Sequence, residues 1–176
     1  MAELSPEISE AIDVMADRGN TLMDEEAFDE AIAVFREGIE LLPVPKENWE
    51  PYLWFLCGVG DAQWFTEDHK GGQDTWRDAL LGGGIGNVFV HLRRGQVMFE
   101  LGREAEAADE LRRALLLGGV EILDGEDPKY YDLVTSVAEP PDGCESWDGW
   151  EGVAPGTPVH DWLMEGSEYE LTPKPE

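Results

Sequence analysis

Basic residues are scarce in this chain: 12 Lys and Arg stand against 39 Asp and Glu in 176 residues, a formal net charge of −27. A field of that sign repels phosphate backbones and anionic lipid, which argues against direct nucleic-acid or membrane binding. It draws cationic partners and speeds their encounter. Cysteine is nearly absent: Cys57 and Cys144 lie far apart. A chain of this length buries enough surface to fold without cross-links, so no structural disulfide is expected in a reducing compartment. No run of about 18 apolar residues occurs that could cross a bilayer. The N-terminus, Met-Ala-Glu-Leu-Ser-Pro-Glu-Ile, lacks the basic-then-apolar layout of a secretion signal, so a cytoplasmic location is the expectation. The three histidines, His69, His91 and His160, show no metal-ligand spacing, and neither a metal nor a cofactor is expected.

What is present is a globular balance, 42% hydrophobic and 29% charged, arranged as a repeat. One skeleton recurs three times: a Gly, a small residue twelve positions on, a bulky apolar residue at sixteen, a small residue at nineteen and a turn residue at twenty-four. The copies read Gly19, Ala31, Phe35, Gly38, Pro43; then Gly60, Gly72, Trp76, Ala79, Gly84; then Gly95, Ala107, Leu111, Ala114, Gly119. They are offset by 41 and 35 residues, and the surplus in the first offset falls in Pro43–Trp49, where two prolines stop helix propagation. Small residues let two antiparallel helices approach closely, and the bulky residue fills the space between units. The second helix of each unit is amphipathic, through Phe28, Ala31, Ile32, Phe35, Ile39 and Leu42 in the first copy and Ala108, Leu111, Leu115 and Leu116 in the third. In the middle copy the helical run, Asp74 to Leu81, is short and ends at Gly82-Gly83-Gly84.

Beyond the third copy, Asp127 reads as an N-cap with Pro128 at the first helical position, and residues 129–137 form a short helix that closes the stack. From Glu139 the chain turns Pro- and Gly-rich and acidic, yet it carries Trp147, Trp150 and Trp162, so part of it is expected to pack back on the repeats. Gly82-Gly-Gly-Ile-Gly86 lacks the ending of a phosphate loop and follows a helix, which makes it a turn. With so many carboxylates, proximity alone marks no acid–base pair, and no enzyme is expected.

The Ala31-x3-Phe35…Pro43 run, with Gly102 and Ala107 in the third copy, resembles the tetratricopeptide repeat (TPR) family, whose unit is a helix–turn–helix of about 34 residues. The first helices depart from the family pattern, with Met15, Arg18, Gly19 and Leu22 in one copy and His91, Arg94, Gly95 and Met98 in another. The resemblance implies an all-α, right-handed stack of about three hairpins over residues 1–138, with a C-terminal capping helix and an irregular segment, 139–176, packed on it. It also implies a concave surface lined by first helices. The inward positions are then Asp13, Ala16, Asn20 and Met23; Trp54, Asp61, Trp64 and Phe65; and Phe89, Leu92, Gln96 and Phe99. Of these, Asp13, Asn20, Trp54, Asp61, Trp64, Phe65, Phe89, Gln96 and Phe99 are the partner-binding candidates. They form an aromatic trough with acidic rims, suited to an apolar or basic protein segment and hostile to a carboxylate. The arginines Arg93, Arg94, Arg103, Arg112 and Arg113 are expected to neutralise Glu100, Glu104, Glu106, Asp109 and Glu110 locally. A small, highly acidic chain of this type also resembles bacterial immunity proteins, implying a basic toxin or effector domain as partner. A general adaptor or secretion chaperone holding an extended peptide is the alternative.

Overall fold

The computed structural model describes residues 3–141 and 143–153; His160 and Trp162 lie outside the described residues. These residues form seven α-helices and three short 3-10 turns, with no strand among them: α1 (Pro6–Asp24), α2 (Phe28–Leu41), α3 (Glu50–Phe65), α4 (His69–Leu81), α5 (Val88–Glu100), α6 (Glu104–Gly118) and α7 (Pro128–Val137). Helices α1/α2, α3/α4 and α5/α6 make three hairpins, and each helix packs on its sequence neighbour. None of the described helices is long and apolar enough to cross a membrane.

Short polar side chains start the helices by satisfying otherwise unpaired N–H groups. Ser5 accepts from Ile8 ahead of Pro6, and Asn87 accepts from Phe89 and Val90 at 3.0 and 3.3 Å. Asp127 accepts from the Lys129 amide at 3.0 Å ahead of Pro128, so the closing helix begins where the sequence places it. Asp68 accepts from Gly71 at 3.0 Å and starts α4 at His69, five residues before the run the sequence marks. The two glycines in that first turn are poor helix formers, and the cap holds them in place.

The turns inside the three hairpins share one construction. The second residue after the first helix is left-handed: Glu26 (φ 57°), Glu67 (φ 58°) and Gly102 (φ 73°), which occupy one register position. The next amide reaches back five residues in each case, Ala27 to Leu22, Asp68 to Gln63 and Arg103 to Met98, at 2.8, 2.9 and 2.9 Å. This closure satisfies carbonyls that the helix end would leave bare. Only the third copy uses the residue without a Cβ.

The recurring Gly and bulky residue meet in space. A Cβ added at Gly60 would lie 2.5 Å from the Trp76 ring, one at Gly95 would lie 2.7 Å from Leu111, and one at Gly19 would overlap Phe35. Phe35 and Trp76 are buried between their own hairpin and the first helix of the next, and Leu111 between its hairpin and the closing helix α7. The core is therefore a row of linked clusters. Ile12, Ala31, Phe35, Phe55 and Val59 make the first, Leu56, Trp76, Ala79, Val90 and Val97 the second, and Leu92, Leu111, Leu115, Tyr130, Val134 and Trp147 the third.

The insertion after α2 folds into a 3-10 turn, Lys46–Asn48, and Trp49 is pinned there by its indole N–H to Pro43 O at 2.8 Å. At the other end the third cluster crosses residue 139. Trp147 is buried with its indole N–H on Ala138 O (3.2 Å), and Trp150 donates to Leu115 O (3.0 Å). Backbone bonds from Val120 to Trp150 and from Val153 to Leu116 lay this segment over the end of α6. Gly119 permits the approach: it has φ 79°, and a Cβ there would sit 2.6 Å from Trp150 O.

Candidate functional site

The positions expected to face inward on α1, α3 and α5 fall in the repeat register as 13/54/89, 20/61/96 and 23/64/99, with Phe65 one residue beyond it, and their side chains differ in how far their own chain already engages them. On α1, Asp13 and Asn20 are exposed, and among the described residues neither makes a hydrogen bond or ion pair. Ala16 and Met23 are half-buried beside them. On α3, Trp54 is 42% exposed and stands edge-on to Phe35 and Phe55, with ring centres 5.7 and 5.2 Å away. Phe65 is 53% exposed and stacks on Phe28 at 5.1 Å. On α5, Phe89 is 36% exposed and stands edge-on to buried Trp76 at 5.7 Å. These three aromatics leave accessible apolar surface on α3 and α5.

Toward the C-terminal end the same face is filled from within. The Arg93 Nε donates to Asp61 at 2.9 Å, and its terminal nitrogen donates to Gln96 at 2.9 Å and to Glu126 at 3.4 Å. Its guanidinium lies over Trp64 and Phe89, 5.6 and 5.3 Å from the ring centres. Gln96, expected as a partner contact, is 0% exposed, and its amide joins Arg93 to Glu126 with a 2.7 Å bond to the carboxylate. Leu92 is buried in the third cluster. Burial, the largest influence, together with the neighbouring Glu126 charge raises the Asp61 pKa against the opposing pull of Arg93. One turn along, Lys129 pairs with Glu100 at 2.9 Å and lies over Phe99 and Tyr130, 5.6 and 5.0 Å from the ring centres, and the Tyr130 hydroxyl donates to Glu100 at 2.7 Å. Burial pushes the Glu100 carboxyl up, but the bonds from Lys129 and Tyr130 outweigh it and hold the group below its ordinary value.

The arginines of the third hairpin divide between two tasks. Arg94 pairs with Glu110, whose other oxygen lies 2.6 Å from His91 Nδ1, and His91 Nε2 lies 2.7 Å from Ile85 O. This buried cluster ties α5, α6 and the preceding turn together. Arg103 pairs with Glu106, and Arg113 with Asp109 at 3.5 Å, as local neutralisation requires. Two expectations need correction: Glu100 pairs with Lys129 and not with an arginine, and Arg93 reaches outside its hairpin to Asp61 and Glu126. Both corrections have one cause. The partners lie 29 to 33 residues apart, close to one repeat, and stacking brings such residues side by side. Opposite charges at repeat spacing were the signal that would have found Arg93, Glu126 and Lys129.

Cys57, one turn before Asp61, is half-buried, and desolvation followed by the Asp61 charge pushes its thiol up to about 11. Among the described residues no group of three His, Cys, Asp or Glu side chains is placed to hold a metal ion.

A stack of helical hairpins with its first helices lining one face is the TPR architecture, and solved TPR domains superpose on it. The TPR domain of Arabidopsis OM64 matches with a TM-score of 0.55 and 24% identity, covering 72% of this chain and 93% of that one. The C-terminal TPR-containing domain of a Plasmodium falciparum protein described as FK506-binding matches with a TM-score of 0.57 and 15% identity, covering 75% and 89%. At these identities the likeness establishes the fold. No family model matches the chain, and no curated protein matches it in sequence.

Proposed function

We propose that this chain is a non-catalytic protein-binding module whose inner face receives a basic protein partner. The observation that carries the reading is the exposure of Trp54 and Phe65 on α3 and of Phe89 on α5, in a chain of net charge −27. Exposed aromatics on a concave helical face supply desolvated contact, and the surrounding carboxylates select against anionic partners and speed the approach of cationic ones. The TPR architecture of the neighbours supports the same class of activity.

Affinity capture from cell lysate at low salt, followed by elution with rising salt, tests this. The expected result is one or more basic proteins released as screening shortens from about 10 Å at 0.1 M toward 3 Å at 1 M. Acidic or neutral partners that stay bound at high salt would overturn it. The narrower role, an immunity-type inhibitor of a basic toxin, rests on the acidity and small size of the chain. It requires a single partner whose own activity stops in the complex. Many clients sharing an extended segment would assign the adaptor role in its place.

A further inference from the structure

The groove contains its own example of a bound cation. At the junction of α3 and α5, Arg93 lies over Trp64 and Phe89 and is held by Asp61 and Gln96. The repeat offsets of 41 and 35 residues place a counterpart of each group at the junction of α1 and α3. Asn20 stands for Asp61, Met23 for Trp64, Trp54 for Phe89 and Asp61 itself for Gln96. The counterpart of Arg93 is Gly58, which has no side chain, and a Cβ there would meet the Phe35 ring at 2.7 Å. One ring and two polar positions of the wall thus recur without the cation, while Met23 replaces the second ring and the Phe35 ring packs against Gly58. Trp54 is 42% exposed where Phe89 carries a guanidinium, Asn20 is exposed, and Asp13 adds an exposed carboxylate on α1.

We infer that an arginine or lysine side chain of the partner docks at the α1–α3 junction, over the exposed side of Trp54 and among Asp13, Asn20 and Asp61, one repeat from the place that Arg93 fills between α3 and α5. This rests on the proposed function and gives it a location. Two observations favour a cationic occupant over an apolar one. Asp61 and Glu126 bring two carboxylates to the single guanidinium of Arg93, leaving that part of the face with negative charge in excess. The first hairpin next to it carries Glu7, Glu10, Asp13, Asp17 and Asp24 on α1 with Arg18 as that helix's one basic residue. A cation over an indole beside a carboxylate gains from both the ring quadrupole and the charge.

The test is calorimetric titration of the full chain with acetyl-hexaarginine amide at low salt, for the wild type and three variants. Asn20→Arg places a cation of the chain's own at the junction, on a residue exposed enough to leave folding intact. Ala33→Arg makes the same charge change at an exposed position on α2. Trp54→Ala removes the ring. Expected are losses of about tenfold for Asn20→Arg and Trp54→Ala, the scale of one cation–π contact with its charge partner, and under about twofold for Ala33→Arg. Equal weakening by the two arginine substitutions would show that bulk charge alone attracts the peptide, and would overturn the inference while leaving a basic partner in place. A wild-type chain that fails to bind the peptide at all would overturn both readings.

Discussion

The first and third hairpins share a backbone and a packing rule but not an electrostatic design. Between Glu3 and Glu40 lie 12 carboxylates with Arg18 and Arg36, and among the described residues the one ion pair there is Glu40 with Lys46 at 2.7 Å. Between Val88 and Gly118, five arginines balance five carboxylates, and Arg94, His91 and Glu110 are buried together. In both, a glycine on the first helix receives a large side chain from the second. Apolar packing is therefore enough to build the hairpin, and the buried charges of the third are an addition to it. The difference separates two jobs along one stack. The third hairpin is cross-braced to α3 through Arg93 and Asp61, to the turn before α7 through Gln96 and Glu126, and to α7 through Glu100 and Lys129, while the first leaves its charges to solvent and to whatever approaches.

The sharpest way to break this comparison is to remove the carboxylate that braces the third hairpin. Glu110→Ala takes away the group shared by Arg94 and His91 in a site that is about 1% exposed. Removing one partner of a buried ionic set costs about 3–5 kcal/mol, because the remaining charge stays desolvated. Urea unfolding should show that loss, whereas Glu37→Ala, at an exposed carboxylate of α2, should change stability by less than about 0.5 kcal/mol. Equal effects would mean that the buried cluster contributes nothing to the third hairpin that the first lacks.

The shared rule is tested by Gly19→Ala and Gly95→Ala. Each adds a methyl group where Phe35 or Leu111 already stands, with the Leu111 side chain 2.7 Å from the new atom. Alanine favours the helix by up to about 1 kcal/mol over glycine, and overpacking opposes it by about 1–3 kcal/mol. A net loss of about 1–2 kcal/mol in both variants is expected by thermal unfolding. Stabilisation by either would show that the helices have room to part.

The turns offer a smaller contrast of opposite sign. Glu26 adopts a left-handed backbone that costs a residue with a Cβ about 1 kcal/mol, and Gly102 adopts it freely. Glu26→Gly should stabilise by about 0.5–1 kcal/mol and Gly102→Ala should destabilise by a similar amount. Chemical denaturation of the pair distinguishes this from a charge effect, because Gly102→Ala alters no charge.

How much of this could be read from the sequence follows from the range of the interaction. The Gly19/Phe35, Gly60/Trp76 and Gly95/Leu111 pairs recur at fixed spacing because each lies within one hairpin, so periodicity exposed the fold. The start of α7 was equally legible, since Asp127 and Pro128 act on the next few residues. The beginning of α4 was hidden because Gly71 and Gly72 weaken the helical pattern, and tertiary contact compensates: Gly72 faces Val97 on the following helix. For the candidate site, register alone singles out Trp54 and Phe89 as equivalent positions, and both are exposed. It could not tell that Gln96 is buried, because burial there depends on Arg93 and Glu126, 33 residues apart.

The smallest expected effect concerns the bare charges of the first hairpin. Their mutual repulsion destabilises the folded state, and salt screens it, since the Debye length near physiological ionic strength is about 8 Å. Glu10 is exposed on α1, with Glu7 and Asp13 three residues to either side, so Glu10→Lys replaces two like-charge neighbours with two i,i+3 attractions. A gain of about 0.3–0.5 kcal/mol at low salt is expected, fading at 1 M salt. The matching change in the third hairpin, Glu104→Lys, falls among residues already balanced and should lack that salt-dependent gain. If both variants gain equally, the acidity of the first hairpin is no local liability. If only the first gains, that liability is kept in the chain at a cost in stability, as a surface selected for encounter with a cationic partner would require.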